Sequence, residues 1–329
     1  MRVAVIGGSG HIGSFLLPRL VRAGHEVLNL SRGSSRPYTD DPAWAEVRPV
    51  RIDRPVEDAA GTFAAHVAEL GPDAVVDLIC FTPASAAALV EGLRGRTGQL
   101  LHCGSIWMHG PSTRVPLTED DDRHPVGEYG VAKDAIARLL QEETASGGLA
   151  TTSLHPGHIS GPGWAPVTPL GNLDADVWER LASGREVLVP GLGTELLHHV
   201  HADDVAAAFE LALAQPETAA GEVFHATAAR ALTVRGLLEL AAGWFGQQAV
   251  LRHVDWPQFR AQTPAPFADQ SWDHLWRSQY ASPDKARRLL GYTPGEPDVA
   301  VREAVGWLRA HGTLQHLGPD TETRWLPER

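Results

Sequence analysis

The chain has 329 residues, with 40 acidic against 28 basic side chains and a formal net charge of −12. That balance argues against a surface that tracks nucleic-acid phosphates, and no apolar run is long enough to cross a bilayer. The length suits one large domain with a smaller companion. A strand pattern that starts at residue 2 leaves no leader pattern, so the expectation is a cytoplasmic protein with a small-molecule substrate and no nucleic-acid or membrane partner.

Residues 1–6 are short and β-branched, as a buried parallel strand should be. Gly7-Gly8-Ser9-Gly10-His11-Ile12-Gly13 follows at once. Glycines there permit a tight turn and a close backbone approach to phosphate. The predicted helix 11–23 aims its positive end at the same place. A G-x-G-x-x-G run is weak alone, but here it stands between a strand and a helix, the context a dinucleotide site requires.

Further strands are predicted at 26–30, 47–52, 74–79, 99–103 and 150–154. Helices are predicted at 56–70, 83–93 and 128–144. This alternation argues for an α/β doubly wound parallel sheet with right-handed crossovers. Cys80 and Cys103 lie in apolar strand-like runs and read as buried, inert thiols. Past residue 156 the pattern loosens: a Pro- and Gly-rich loop over 156–169, a helix over 173–183, a short strand near 187–191. Tryptophans then recur at Trp244, Trp256, Trp272, Trp276 and Trp307. Trp256, Trp272 and Trp276 are candidates for a cover over the cleft at the carboxyl ends of the strands.

The helix at 128–144 carries Tyr129-Gly130-Val131-Ala132-Lys133, with Ser105 upstream after the fifth strand. Lys133 is one turn from Tyr129, so both share a helix face. A free tyrosine titrates near about 10, too high for a base at neutral pH. A neighbouring cation favours the phenolate.

These motifs, with Pro116-Leu117-Thr118-Glu119-Asp120, Pro156-Gly157-His158-Ile159-Ser160-Gly161, His199-Val200-His201-Ala202-Asp203-Asp204 and Leu290-Gly291-Tyr292, resemble the extended short-chain dehydrogenase/reductases, in particular the NAD-dependent epimerase/dehydratase group. The resemblance covers nearly the whole chain. It implies a Rossmann domain from 1–165 and 199–226, and a smaller, mostly C-terminal substrate-binding domain from 166–198 and 227–329. It also implies a catalytic set of Ser105, Tyr129 and Lys133. Tyr129 would move the hydroxyl proton, Ser105 would hold the reacting oxygen, and Lys133 would also grip the nicotinamide ribose. Gly7 to Gly13 and Pro156 would lie against the cofactor. Homodimerisation through the helices at 83–93 and 128–144 is expected, with Ala132, Ala135, Ile136, Leu139 and Leu140 offered beyond the active-site face.

Three positions depart from the family pattern, holding His109, His155 and His158. Of these, His109 and His158 join Trp164 and His201 as substrate-side candidates. The second strand ends in Asn29-Leu30-Ser31-Arg32, without the acid that binds a ribose 2′-hydroxyl. Ser31 and Arg32 suit a 2′-phosphate, so NADP is the expected cofactor and NAD the alternative. Asp53 is read either as an adenine contact, from the resemblance, or as a helix cap. His198, His199 and His201 cluster without metal-ligand spacing, and a structural or substrate role is favoured over zinc. Three functions compete: an epimerase or dehydratase of a sugar nucleotide or sugar-like alcohol, an NADPH-dependent carbonyl reductase, and a non-catalytic dinucleotide sensor.

Overall fold

In the computed structural model, which describes residues 1–314, the apolar run at the start of the chain becomes the centre of a parallel sheet. Strand β1 (Arg2–Ile6) is fully covered from Val3 to Ile6. The chain continues through α1 (His11–Arg22), β2 (Glu26–Ser31), β3 (Arg48–Arg51), α2 (Arg54–Ala60), α3 (Phe63–Glu69), β4 (Ala74–Asp77), α4 (Pro83–Leu93), β5 (Gln99–Cys103), α5 (Gly127–Ala145) and β6 (Ala150–Pro156). After β7 (His158–Ser160), α6 (Asp176–Ala182), β8 (Val187–Pro190), β9 (Leu196–Leu197) and β10 (His199–His201) come α7 (Ala202–Ala214), α8 (Pro216–Ala219) and β11 (Val223–Ala226). The last elements are β12 (Leu232–Thr233), α9 (Val234–Trp244), β13 (Leu251–Val254), α10 (Trp256–Gln262), α11 (Ala265–Leu275), α12 (Asp284–Leu290) and α13 (Pro297–Ala310).

Among the described residues the main sheet has seven strands in the order β11-β6-β5-β4-β1-β2-β3, every pair parallel. The order reverses between β1 and β4, the switch point where such sheets bind ligands. One apolar core joins the sheet to α1, α7 and α12 through Leu16, Phe209 and Leu290. A second covers the other face with α3, α4 and α5 through Val67, Leu89 and Ile136. A third, separate core gathers Trp178, Val187, Leu237, Phe259 and Val301.

Several expectations needed correction. The helix expected over 56–70 is two helices, because Gly61 adopts a left-handed φ of 69° and ends α2. The helix expected over 173–183 begins at Asp176, since the side chains of Asn172 and Asp174 accept from the N–H groups of Asp174 and Asp176 and hold a turn there. Ala286, Leu290 and Tyr292, placed with the substrate-binding part, pack into the sheet's own core. Residues 315–329 of that part lie outside the described residues.

The tryptophan cover does not form as expected. Trp272 and Trp276 are exposed and stack on each other, and Trp256 packs against the third core. It is His274, on α11 between the two exposed tryptophans in sequence, that faces the cleft.

Candidate active site

The glycine run does what its position requires. Gly7 holds φ +82°, and a Cβ there would lie 2.7 Å from Ile79 across the switch point. A Cβ on Gly13 would lie 2.1 Å from the Gly8 carbonyl oxygen, so α1 can close on the loop only through glycine. Gly8 faces inward, toward Asn29 and Leu17. Asn29 Nδ2 donates to Ser9 Oγ at 2.9 Å, and Ser9 Oγ donates to Ser31 Oγ at 3.3 Å, tying the loop to the end of β2. No acid sits in the first turn of α1, which leaves its positive end open to an anion.

A cavity of about 600 Å³ runs from Gly7, Ser9 and Gly10 past Ser31, Arg32, Ser34 and Ser35 to Arg54 and Asp58. Its size is ordinary for a ligand site. With the glycine cradle, it fits a dinucleotide. The acid on its wall is Asp58. Asp53 stands at the N-cap position of α2 with no capping side-chain bond, and Asp58 accepts from Ser85 Oγ. Beside it, buried Arg54 grips both carboxylate oxygens of Asp77 at 2.6 and 2.8 Å. Periodicity gave no sign of this pair, which joins α2 to the end of β4. Pro156 ends β6 paired with Ala226, and the residues after it, Gly157 to Ile159, reach the cleft.

A second cleft of about 450 Å³ shares Gly7, Gly10, Ile79 and Trp164 with the first and contains Ser105 and Tyr129. Ser105 caps the short turn Ile106–His109, its Oγ accepting from Trp107 N–H at 3.2 Å. Its own O–H therefore remains a donor. His155, wholly buried, holds the Ser105 backbone through Nδ1 at 3.0 Å. Gly130 explains the spacing of the tyrosine motif: a Cβ there would come 2.9 Å from the Trp107 carbonyl. Glycine lets α5 bring Tyr129 against the Ser105 turn.

Tyr129 is 42 % exposed, and that exposure opens on the cleft. The surrounding walls desolvate its phenol and push it up to about 12, with a neighbouring thiol adding and a bond from Ser105 opposing. Lys133 is buried and donates to the carbonyls of Cys80 at 2.8 Å and Cys103 at 2.7 Å. Burial lowers its ammonium from the usual value. Burial likewise pushes the Cys80 thiol up to about 12 and Cys103 to about 11.

The substrate-side candidates separate. His158 lines the cleft, with its ring between His199 and His274. Trp164 lines both cavities and stacks on His11 at 5.7 Å. His109 turns away: His225 Nδ1 must donate to the Ser282 carbonyl, so its Nε2 accepts from His109 Nε2 at 2.8 Å. His201 accepts from Asp203 N–H through Nδ1 and donates to Glu303 through Nε2 at 3.0 Å, which ties β10 and α7 to α13. His198 and His199 bond Ala228 and Ser160 in other directions. Among the described residues no group of three or more metal-ligating side chains assembles. Trp107 and His274, which the sequence reading missed, complete the wall. Trp107 follows Ser105 by two positions, a clue available in the sequence; His274 comes from an irregular region that offered none.

No helix among the described residues is long and apolar enough to cross a membrane. A family model described as the NAD dependent epimerase/dehydratase family matches residues 3–226. The whole chain is 30 % identical to 2′-dehydrokanamycin reductase of Streptomyces kanamyceticus, over 90 % of that protein. It is 28 % identical to dTDP-6-deoxy-L-talose 4-dehydrogenase (NAD(P)(+)) of Kitasatospora kifunensis, over 97 % of this chain and 96 % of that one. Its fold matches dTDP-glucose 4,6-dehydratase of Bacillus anthracis in complex with NAD (TM-score 0.72, 15 % identity, 95 % and 98 % of the two chains). It also matches UDP-glucose 4-epimerase of Thermotoga maritima with UDP-glucose (TM-score 0.69, 22 % identity, 94 % and 99 %). The chain therefore belongs to the NAD-dependent epimerase/dehydratase family and is an NAD(P)-dependent enzyme of oxidoreductase type.

Proposed function

We propose that this enzyme moves hydride at a secondary alcohol or ketone carbon of a sugar-like ring, with NADP(H) as its cofactor and Ser105, Tyr129 and Lys133 as its machinery. One observation carries the reading: Ser105 and Tyr129 face the glycine loop in a cleft continuous with the cofactor cavity. The bound nicotinamide would give or take the hydride. Ser105 O–H donates to the reacting oxygen and holds it. Tyr129 takes the hydroxyl proton on oxidation and returns one to the oxygen on reduction. Two of the three donors of Lys133 are committed to carbonyls, leaving a third for the ribose or the phenol.

NADP(H) is supported by the wall of Ser31, Arg32, Ser34 and Ser35, where Arg32 is exposed. The carboxylate in that cavity, Asp58, already accepts from Ser85 and Arg54. We take the net reaction to be redox-neutral epimerisation or dehydration. Net reduction is the second reading, favoured by the likeness to 2′-dehydrokanamycin reductase. We assign 1–165 and 199–226 to cofactor binding and 166–198 and 227–329 to the substrate, save the stretch around α12. The free, buried Cys80 and Cys103 suit a reducing cytoplasm. Pairing of two copies through α4 and α5 would use exposed Val131 and half-buried Ala132, Ala135 and Leu139. Ile136 and Leu140 belong to the chain's own core.

The test follows deuterium from labelled NADPH, and isomerised product, across a panel of sugars and ring ketones. Label transfer or isomerisation should be seen with the wild type and should be lost in Tyr129→Phe with folding and cofactor affinity intact. A chain that binds neither NADP(H) nor NAD(H) would sink the reading.

A further inference from the structure

Resting on that reading of the cleft, we propose that its substrate is an unphosphorylated polyhydroxy or amino-hydroxy ring, not a sugar carried on a nucleoside diphosphate. Space is the first argument. A cleft of about 450 Å³ must take the nicotinamide end of the cofactor as well as the substrate. That is near the low end of the roughly 300–1,000 Å³ of ligand sites, so the walls of this cleft surround about one ring beside the cofactor, and their chemistry decides what that ring carries.

The chemistry of the wall is the second. Beyond Ser105 and Tyr129 it is formed by Trp107, His158, Trp164, Val167 and His274. A diphosphate is acceptor-only and anionic, and needs cations or clustered N–H donors. The nearby cations face elsewhere. Lys133 donates to the Cys80 and Cys103 carbonyls. Arg277 donates to the carbonyls of Asp273 and Val126 behind Trp107, its guanidinium 4.0 Å from that ring's centre.

The imidazoles are arranged for a ligand that donates. His274 Nδ1 bonds the Gln270 carbonyl at 2.8 Å and must therefore donate. In the neutral ring its Nε2 is then a lone pair, which attracts a hydroxyl or amine and repels a phosphate oxygen. His158 has both ring nitrogens buried and unpartnered among the described residues. Unmet buried polar atoms on a ligand cleft are costly unless a ligand supplies the partners. A neutral imidazole offers one donor and one acceptor, the pattern that matches a hydroxyl. Burial and neighbouring positive groups hold His158 well below its usual value, and burial lowers His274 too, so neither supplies the missing charge. Trp164, half exposed, adds a flat apolar face of the kind that covers the C–H face of a sugar-like ring.

The test uses the full chain loaded with NADP⁺, whose own binding is measured first. Loss of that binding would strike the functional reading, not this one. UDP and UDP-glucose are then titrated by calorimetry. Wild type should bind them with Kd weaker than about 1 mM, while His158→Arg and, independently, Val167→Arg should each gain about tenfold or more. In parallel, 2-keto-myo-inositol with NADPH and myo-inositol, methyl glucoside and 2-deoxystreptamine with NADP⁺ are screened for hydride transfer. At least one should react, with KM raised in His158→Leu more than kcat is lowered. Wild-type binding of UDP-glucose tighter than about 1 mM, its turnover, or silence of the whole unphosphorylated panel would overturn the proposal.

Discussion

Lys133 and Tyr129 stand one turn apart on α5, yet the Lys133 ammonium lies 5.7 Å from the Tyr129 ring centre and bonds the carbonyls that end β5 and follow β4. The lysine therefore acts first as a clamp between α5 and the sheet. Without cofactor the phenol is pushed up to about 12 by desolvation, so at pH 8 only about one molecule in ten thousand carries the phenolate. A positive nicotinamide beside it would lower that value. Tyrosinate absorbance, taken as wild type minus Tyr129→Phe, should stay silent below about pH 11 without cofactor. Its midpoint should fall when NADP⁺ is added. A Tyr129 titration below about pH 9 in the cofactor-free protein would show that Lys133 alone suffices.

Local pattern carried most of the scaffold. The β-branched run 2–6, the glycines after it and the strand–helix alternation are all nearest-neighbour signals, and they led to the right elements apart from the break at Gly61 that splits α2 from α3. The Tyr129 spacing and Ser105 were readable for the same reason. What escaped were contacts made across the fold. His109 bonds His225 across 116 positions, so adjacency to Ser105 misassigned it to the substrate. His201 stayed open between a structural and a substrate role because its partner, Glu303, is 102 positions away. Asp53 was left open between an adenine contact and a helix cap, and it stands at the N-cap position of α2 without a capping side-chain bond. The acid that lines the cavity, Asp58, sits one turn into α2, and no periodicity encodes that placement.

Gly13 and Gly8 differ in what surrounds them, and substitution should separate them. A methyl on Gly13 meets the backbone of Gly8 at 2.1 to 2.6 Å. Neither α1 nor the loop can yield without opening the pyrophosphate cradle. A methyl on Gly8 meets side chains, Asn29 Oδ1 at 2.7 Å and Leu17 at 3.0 Å, which can shift. Gly13→Ala should cost about 3 kcal/mol and Gly8→Ala about 1 kcal/mol on urea unfolding. NADP⁺ binding should fall far more in Gly13→Ala. Equal losses in the two variants would show that backbone contact is not the deciding factor.

Arg32 is the side chain on which cofactor choice turns. It is exposed at the end of β2, on the wall of the dinucleotide cavity. A charge-assisted bond to phosphate at an exposed site is worth roughly 1.5 kcal/mol. Arg32→Ala should weaken NADP⁺ about tenfold and leave NAD⁺ nearly unchanged, as read by calorimetry with both cofactors. Equal weakening of both would assign Arg32 to the shared part of the cofactor, and tighter wild-type binding of NAD⁺ would reject the NADP reading.

The buried histidines should set the acid limit of the fold. Burial pushes His109, His199 and His225 down to about 3 and His11 and His198 to about 4. His102, His155 and His158 are held well below the usual value for the same first reason. Below about pH 6.5 the unfolded chain takes up protons at these positions and the folded chain does not. The unfolded state then binds more protons, so stability rises with pH through this window and is lost as pH falls from about 6.5 toward 4. Each such histidine contributes up to about 1.4 kcal/mol per pH unit, against a total stability on the order of 5–15 kcal/mol. The depressed carboxylates Asp41, Asp121, Glu143 and Asp176 act only nearer and below about pH 4, so the two classes separate on the pH axis. Urea unfolding between pH 8 and pH 5 should show a steep loss that begins near 6.5. His109→Gln keeps a donor for His225 Nε2 and removes one titrating ring. It should flatten the slope by up to one proton whatever it does to stability at pH 8. A stability curve that stays level down to pH 5 would mean that these imidazoles find water or counter-charge in the folded chain.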